Sequence, residues 1–162
     1  MDVRTLLTFF HLSAIVTWVG LWTSAAFTFG PLLRRHLAVP ALPAFFADYR
    51  RRLIAVSWSA IGVFAITGTI LMVTDDAYPG LGRFFTSEWS TLIFTKHLVV
   101  LAMLGLTVYL LYSVLPRLNA AYSTGDSAAA NRLSGQQRAI TITLAGLGLL
   151  VLLLISTALG AG

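Results

Sequence analysis

The sequence contains no cysteine, and that absence closes off several chemistries at once. Disulfides, thiolate-bound metal, iron–sulfur clusters and haem attached through Cys-x-x-Cys-His are all excluded. Charge is scarce too: 10% of the 162 residues are charged, with six acidic residues and Lys96 as the sole lysine. No Asp or Glu falls between the interfacial ends of the long apolar runs, so the carboxylate relay of a proton pump or an ion-coupled carrier is missing. Methionine is sparse, and Met72 and Met103 form no Met-x-x-x-Met ladder of soft ligands. There is no Ser/His/Asp set, no phosphate-binding glycine loop and no His-Glu-x-x-His.

What the chain does have is hydrocarbon: 57% of its residues are hydrophobic and its mean hydropathy is +0.84, outside the range of soluble globular domains. Four stretches, Thr5 to Gly30, Leu53 to Thr74, Trp89 to Leu115 and Ala139 to Gly160, each reach the ~20 residues that a helix needs to cross ~30 Å of hydrocarbon. Phe45, Phe46 and Tyr49, followed by Arg50 to Arg52, start the second helix in the headgroup region. The expected spans are therefore 5–30, 46–74, 89–115 and 139–160. The expected fold is all-α, an integral membrane four-helix transmembrane bundle forming one domain over residues 1–162. The first run has neither a short apolar core nor a small-residue cleavage site, so it reads as a span and not as a removable signal peptide.

Gly30-Pro31 is expected to stop the first helix and Pro116 to close the third. Asn119 to Gln137, interrupted by Gly125 and Gly135, reads as a polar connector with one short helix at most. Gly20-x-x-x-Ser24 and the Gly146/Gly148 pair are the candidates for close helix approach, and Phe84, Phe85 and Trp89 for an interfacial aromatic belt.

The net charge of +5 does not imply a nucleic-acid partner, because the arginines follow the loops instead of forming a patch with interleaved aromatics. Arg34, Arg35, Arg50, Arg51 and Arg52 flank the first connection, and Arg117, Arg132 and Arg138 the third. The positive-inside rule puts both connections in the cytoplasm and both termini on the outer side of a bacterial-type cytoplasmic (inner) membrane.

Two histidines stand inside the spans. His11 and His97 both lie roughly 9 to 12 Å below the outer surface at ~1.5 Å per residue, and an ionisable residue at such a depth is a functional candidate. At one level on antiparallel helices they suit the two axial positions of a b-type haem. Thr67 and Thr69 from span two, with Ser156 and Thr157 from span four, are the polar groups expected at that level, bonding a propionate or an imidazole's second nitrogen. The plainer alternative is that each histidine only satisfies a hydroxyl or carbonyl of a neighbouring helix. Lys96 has two readings: it snorkels to the headgroups, or it pairs with a ligand carboxylate or with Glu88. His36, beside Arg34 and Arg35, reads as solvated.

The run from His11 to Gly20, with Trp18-Val19-Gly20 at its end, resembles the His and Trp-x-Gly signature of the CopD-like copper-resistance membrane domain. Arg51-Arg52-Leu53 with Ile66-Thr67-Gly68 is similar to that family's second span, and Leu92 to Leu98, an apolar run into Lys96, to its third. The same His and Lys positions resemble the HemJ-like membrane protoporphyrinogen oxidases. The resemblance implies a haem, porphyrin or copper site that includes His11, Trp18 and Lys96; His97 departs from both patterns. The leading expectation is a small membrane protein that binds one haem b near the outer leaflet and acts in electron transfer or haem chemistry, an oxidoreductase if an enzyme. Two alternatives stand beside it. One is copper transport or resistance, with His11 and Met72 as transient ligands. The other is an accessory subunit of a larger respiratory or photosynthetic complex. The lipid bilayer is the first expected partner, with a quinone or larger complex subunits after it.

Overall fold

The computed structural model describes residues 2–29, 32, 42–75, 80 and 88–160. Helix α1 (Val3–Ser24) begins at Asp2, whose carboxylate accepts the Thr5 backbone N–H at 2.6 Å, and it runs into a wide π turn over Ala25–Phe29. Those bonds from Thr5, backbone first and hydroxyl second, hold the Asp2 carboxyl below its ordinary range. Helix α2 spans Leu42–Val73 without a break, as a helix that starts in the interface and continues into the bilayer should. Helix α3 (Glu88–Tyr109) continues through a second π turn, Leu110–Val114, into α4 (Leu115–Thr124), and α5 runs from Ser127 to Gly160.

Four helical stretches are long and apolar enough to cross a membrane: Val3–Phe29, Pro43–Val73, Ser90–Thr124 and Ser127–Leu154. The chain is thus an all-α transmembrane bundle. Its outer surface carries Phe9, Ile66, Leu101, Leu149 and Leu153, each 60% exposed or more, which suits lipid and would be costly in water. Inside, Ile15, Trp18 and Trp22 of α1 form one core with Phe64 of α2, Met103 of α3, and Leu144 and Val151 of α5.

Two expectations fail at the third span. Pro116 does not end the helix, because the preceding turn widens: the Leu115 N–H reaches back to the Leu110 carbonyl, five residues away. In that register the next donor would be Pro116, which has no N–H, so the Leu111 carbonyl is left without a helical partner. Arg50 of α2 supplies one, its Nε donating to Leu111 O at 2.7 Å. The proline is therefore accommodated in a first turn, where no donor is needed. The polar connector also shrinks to a tight turn. Gly125, in the left-handed region at φ +72°, caps α4, and the Asp126 carboxylate caps α5 by accepting the Ala129 N–H at 2.9 Å. Helix α5 passes straight through Gly135, and its polar start is tied down by Tyr122 to Ser134 and by Gln136 to Tyr109. Gly30-Pro31, His36, Phe84 and Phe85, and the Trp89 side chain lie outside the described residues.

The small-residue contacts divide likewise. A Cβ on Gly148 would sit 2.6 Å from Val19 Cγ2, so α5 meets α1 closely there, whereas Gly20 and Gly146 have open space around them. Gly148→Ala is expected to overpack this contact at a cost of ~1–3 kcal/mol, more than the helix propensity it gains. Gly146→Ala should be neutral or mildly stabilising. Thermal unfolding of the two purified variants checks the pair, and equal midpoints would refute the close contact.

Candidate functional site

A cavity of about 490 Å³ opens between α1, α2 and α3. Its walls include His11, Lys96 and His97, with Thr69 and Met72 beside them, and Trp18, Ile61 and Leu104 lie deepest. At the N-terminal end of α1 and the C-terminal end of α2, Arg4 and Asp75 also line it and are joined by an ion pair of 2.9 Å. His11 and His97, expected at one level, both line this cavity.

His11 is held from behind. Its Nδ1 lies 3.2 Å from the Phe64 carbonyl oxygen and 3.1 Å from Thr67 Oγ1. A carbonyl only accepts, so Nδ1 carries the proton in this arrangement. The Thr67 hydroxyl donates its own hydrogen to Val63 O at 2.6 Å, which leaves its oxygen as a second acceptor for the same N–H. The ring stacks on Phe64 with centroids 4.3 Å apart. Gly68 completes the seat: a Cβ there would stand 2.7 Å from His11 Cε1. The Thr67-Gly68 pair thus orients the imidazole with one residue and makes room for it with the next. Nε2, with its lone pair, is the nitrogen left over, and no partner bonds it among the described residues.

His97 reaches the same tautomer by a different route. Its Nδ1 donates to the Ile93 carbonyl of its own helix at 2.6 Å, and its Nε2 is likewise unbonded among the described residues. The ring is more exposed than that of His11. Lys96 has no ion-pair partner among the described residues, and the Glu88 side chain lies outside them.

Of the other candidates, Thr69 and Trp18 are cavity walls, Trp18 with a buried indole N–H that finds no acceptor among the described residues. Thr67 is not a wall residue; it acts through the nitrogen of His11. Ser156 is exposed on α5, and the Thr157 side chain is outside the described residues. Of the two methionines within the spans, Met72 lines the cavity and Met103 is fully buried in the core. Among the described residues no three His, Asp or Glu side chains converge as a ready-made metal cage. Sequence reasoning missed the Arg4–Asp75 pair, which joins residues 71 positions apart. It also missed the Phe64 seat, whose only signal is that Phe64 stands one turn before Thr67-Gly68.

The model of the family described as CopD, copper resistance protein D, matches residues 47–158, and the chain belongs to this family. The match takes in Thr67, Gly68, Lys96 and His97 and leaves α1, with His11, outside it. No curated protein and no solved structure matches the chain.

In the neutral ring, ¹⁵N NMR of the labelled protein should show His11 protonated at Nδ1 and bare at Nε2. Gly68→Ala should move the ring off Phe64 and mix the tautomers, because the added methyl and the imidazole claim the same space. A ring already protonated at Nε2 in the parent protein would overturn the assignment.

Proposed function

We propose that this membrane protein handles copper as its cargo, binding it in the outer cavity at His11 Nε2, with His97 Nε2 and the Met72 thioether as further donors. The observation that carries this reading is the bifurcated hydrogen bond from His11 Nδ1–H to the Phe64 carbonyl and the Thr67 hydroxyl oxygen. A ligating histidine commonly donates its other N–H in this way, which fixes the ring and makes the free nitrogen more basic. Imidazole together with thioether is a donor set that suits copper, and the soft sulfur favours Cu(I). Family membership points to the same metal. The haem reading has no such support: the family match favours copper over a resident haem b, and it gives no ground for electron transfer or an oxidoreductase. Copper, the second choice in the sequence, becomes the first.

Lys96 works against a bare cation. Lys96 lines the same cavity as His11, and like charges sharing it repel. Its ammonium therefore keeps the site weak, which suits a cargo that must leave again. The arginine-flanked connections support the orientation read from the sequence, with both termini on the outer side of the inner membrane and the cavity opening outward.

Copper retained by protein purified from copper-loaded cells should fall at least tenfold in His11→Ala and several-fold in Met72→Leu, and rise several-fold in Lys96→Gln. Metal analysis reads all three, and unchanged copper in His11→Ala would remove the proposal. Orientation has a direct test, since the chain carries no cysteine of its own: Ala128→Cys, at the exposed start of α5, should react with an impermeant thiol reagent only after the cells are opened. Labelling in intact cells would reverse the topology.

A further inference from the structure

A second cavity lies at the other end of the bundle from His11, where α3, α4 and α5 meet. It is open and about 660 Å³ in volume, and its walls include Tyr109, Arg117, Asp126, Arg132 and Gln136. Helix rise gives its depth. Tyr109 stands twelve residues beyond His97, ~18 Å further on, so it lies roughly 27 to 30 Å below the outer surface, at the opposite boundary of a ~30 Å hydrocarbon layer. Gln136 is tied to Tyr109 at that level. Arg132, one turn before Gln136 in α5, and Arg117, two turns after Tyr109, stand beyond the boundary, among the headgroups.

The cavity gathers hydrogen-bond donors. Gln136 Nε2 donates to the Tyr109 hydroxyl at 2.8 Å, so the phenol keeps its own hydrogen to give and the amide keeps a second N–H. Arg4 pairs with Asp75, Arg51 with Asp48 and Arg50 with the Leu111 carbonyl, whereas Arg117 and Arg132 have no ion-pair or hydrogen-bond partner among the described residues. The one acid on the wall, Asp126, accepts the Ala129 N–H as the cap of α5, and neither guanidinium pairs with it. Two cations against one carboxylate leave the cavity positive, and most of its unspent hydrogen bonds are donors.

We propose that this cavity holds the phosphate of an anionic phospholipid, gripped by Arg117 and Arg132 with Tyr109 and Gln136 beneath it. The planar fork of a guanidinium matches phosphate oxygens, and basic pockets between spans at headgroup level receive anionic lipids. The surroundings select a lipid over a free anion, because the membrane-facing surface next to the cavity leaves room for a chain. Gly105, one turn into the membrane from Tyr109, is exposed, and a Cβ there would meet nothing within 4 Å. Ala102 on the same face of α3, and Ala139 and Thr143 on the face of α5 that carries Gln136, are short and exposed as well. The site is independent of the copper reading, since it shares no wall residue with the outer cavity.

Electron paramagnetic resonance of spin-labelled lipid in phosphatidylcholine vesicles holding the full chain tests this, because it resolves the lipid immobilised at the protein. Labelled phosphatidylglycerol should be held several-fold more tightly than labelled phosphatidylcholine, and Arg117→Gln combined with Arg132→Gln should abolish most of that preference. Arg138→Gln, which removes an exposed charge of α5 outside the cavity, should keep it. So should the parent protein in millimolar inorganic phosphate at constant ionic strength. No preference in the parent, or an unchanged one in the double variant, would overturn the proposal. An equal loss in Arg138→Gln would overturn it in favour of diffuse surface charge, and displacement by inorganic phosphate in favour of a free-anion site.

Discussion

Hydrocarbon offers a polar atom nothing to bond with, so every N–H, carbonyl and hydroxyl in this bundle must find its partner within the protein. That constraint explains where the chain departs from plain helix. Proline at 116 deprives the Leu111 carbonyl of a donor, and an arginine from the neighbouring helix supplies one. Among the described residues seven threonines bond back to the carbonyl four residues earlier. The imidazole of His11 is captured by a backbone oxygen that is already in use within α2 and by a hydroxyl that has already given its hydrogen away. The seat of the proposed function is where this rule is met across helices, at His11.

Much of this was legible in the residues. Span number and approximate limits follow from run length, because an apolar stretch of that size has few other uses. The common level of His11 and His97 follows from counting, since rise per residue hardly varies. Rotation about each helix axis does not follow from counting, and so Thr67 could be placed at the right depth without its role being known: only packing decides whether it faces the cavity or the imidazole. Pro116 misled because a proline rule written for single helices ignores a neighbour able to take over the abandoned carbonyl. Gly135 misled for a related reason: a helix held at both flanks by Tyr122 and Tyr109 tolerates a glycine that an isolated segment would not.

The change from haem to copper turns on chemistry as well as on family. A pair of histidines at one depth is compatible with either guest, and so discriminates neither. Met72 discriminates, because a thioether on the same wall adds a soft donor to two imidazoles, while Met103, equally apolar in sequence, is spent on the core. The matched region contains the elements that shape and orient the site, Thr67 and Gly68, but not the histidine they orient. Within this chain, the family match takes in the socket together with Met72 and His97, and leaves out His11.

The locked imidazole has one more consequence. With Nδ1–H committed to Phe64 and Thr67, His11 has a single basic atom, and a hydrogen ion and a metal ion can occupy it only in turn. For the cargo proposed above, acid is thus a direct competitor at that atom, and the same ring that receives the metal would give it up as the medium is acidified.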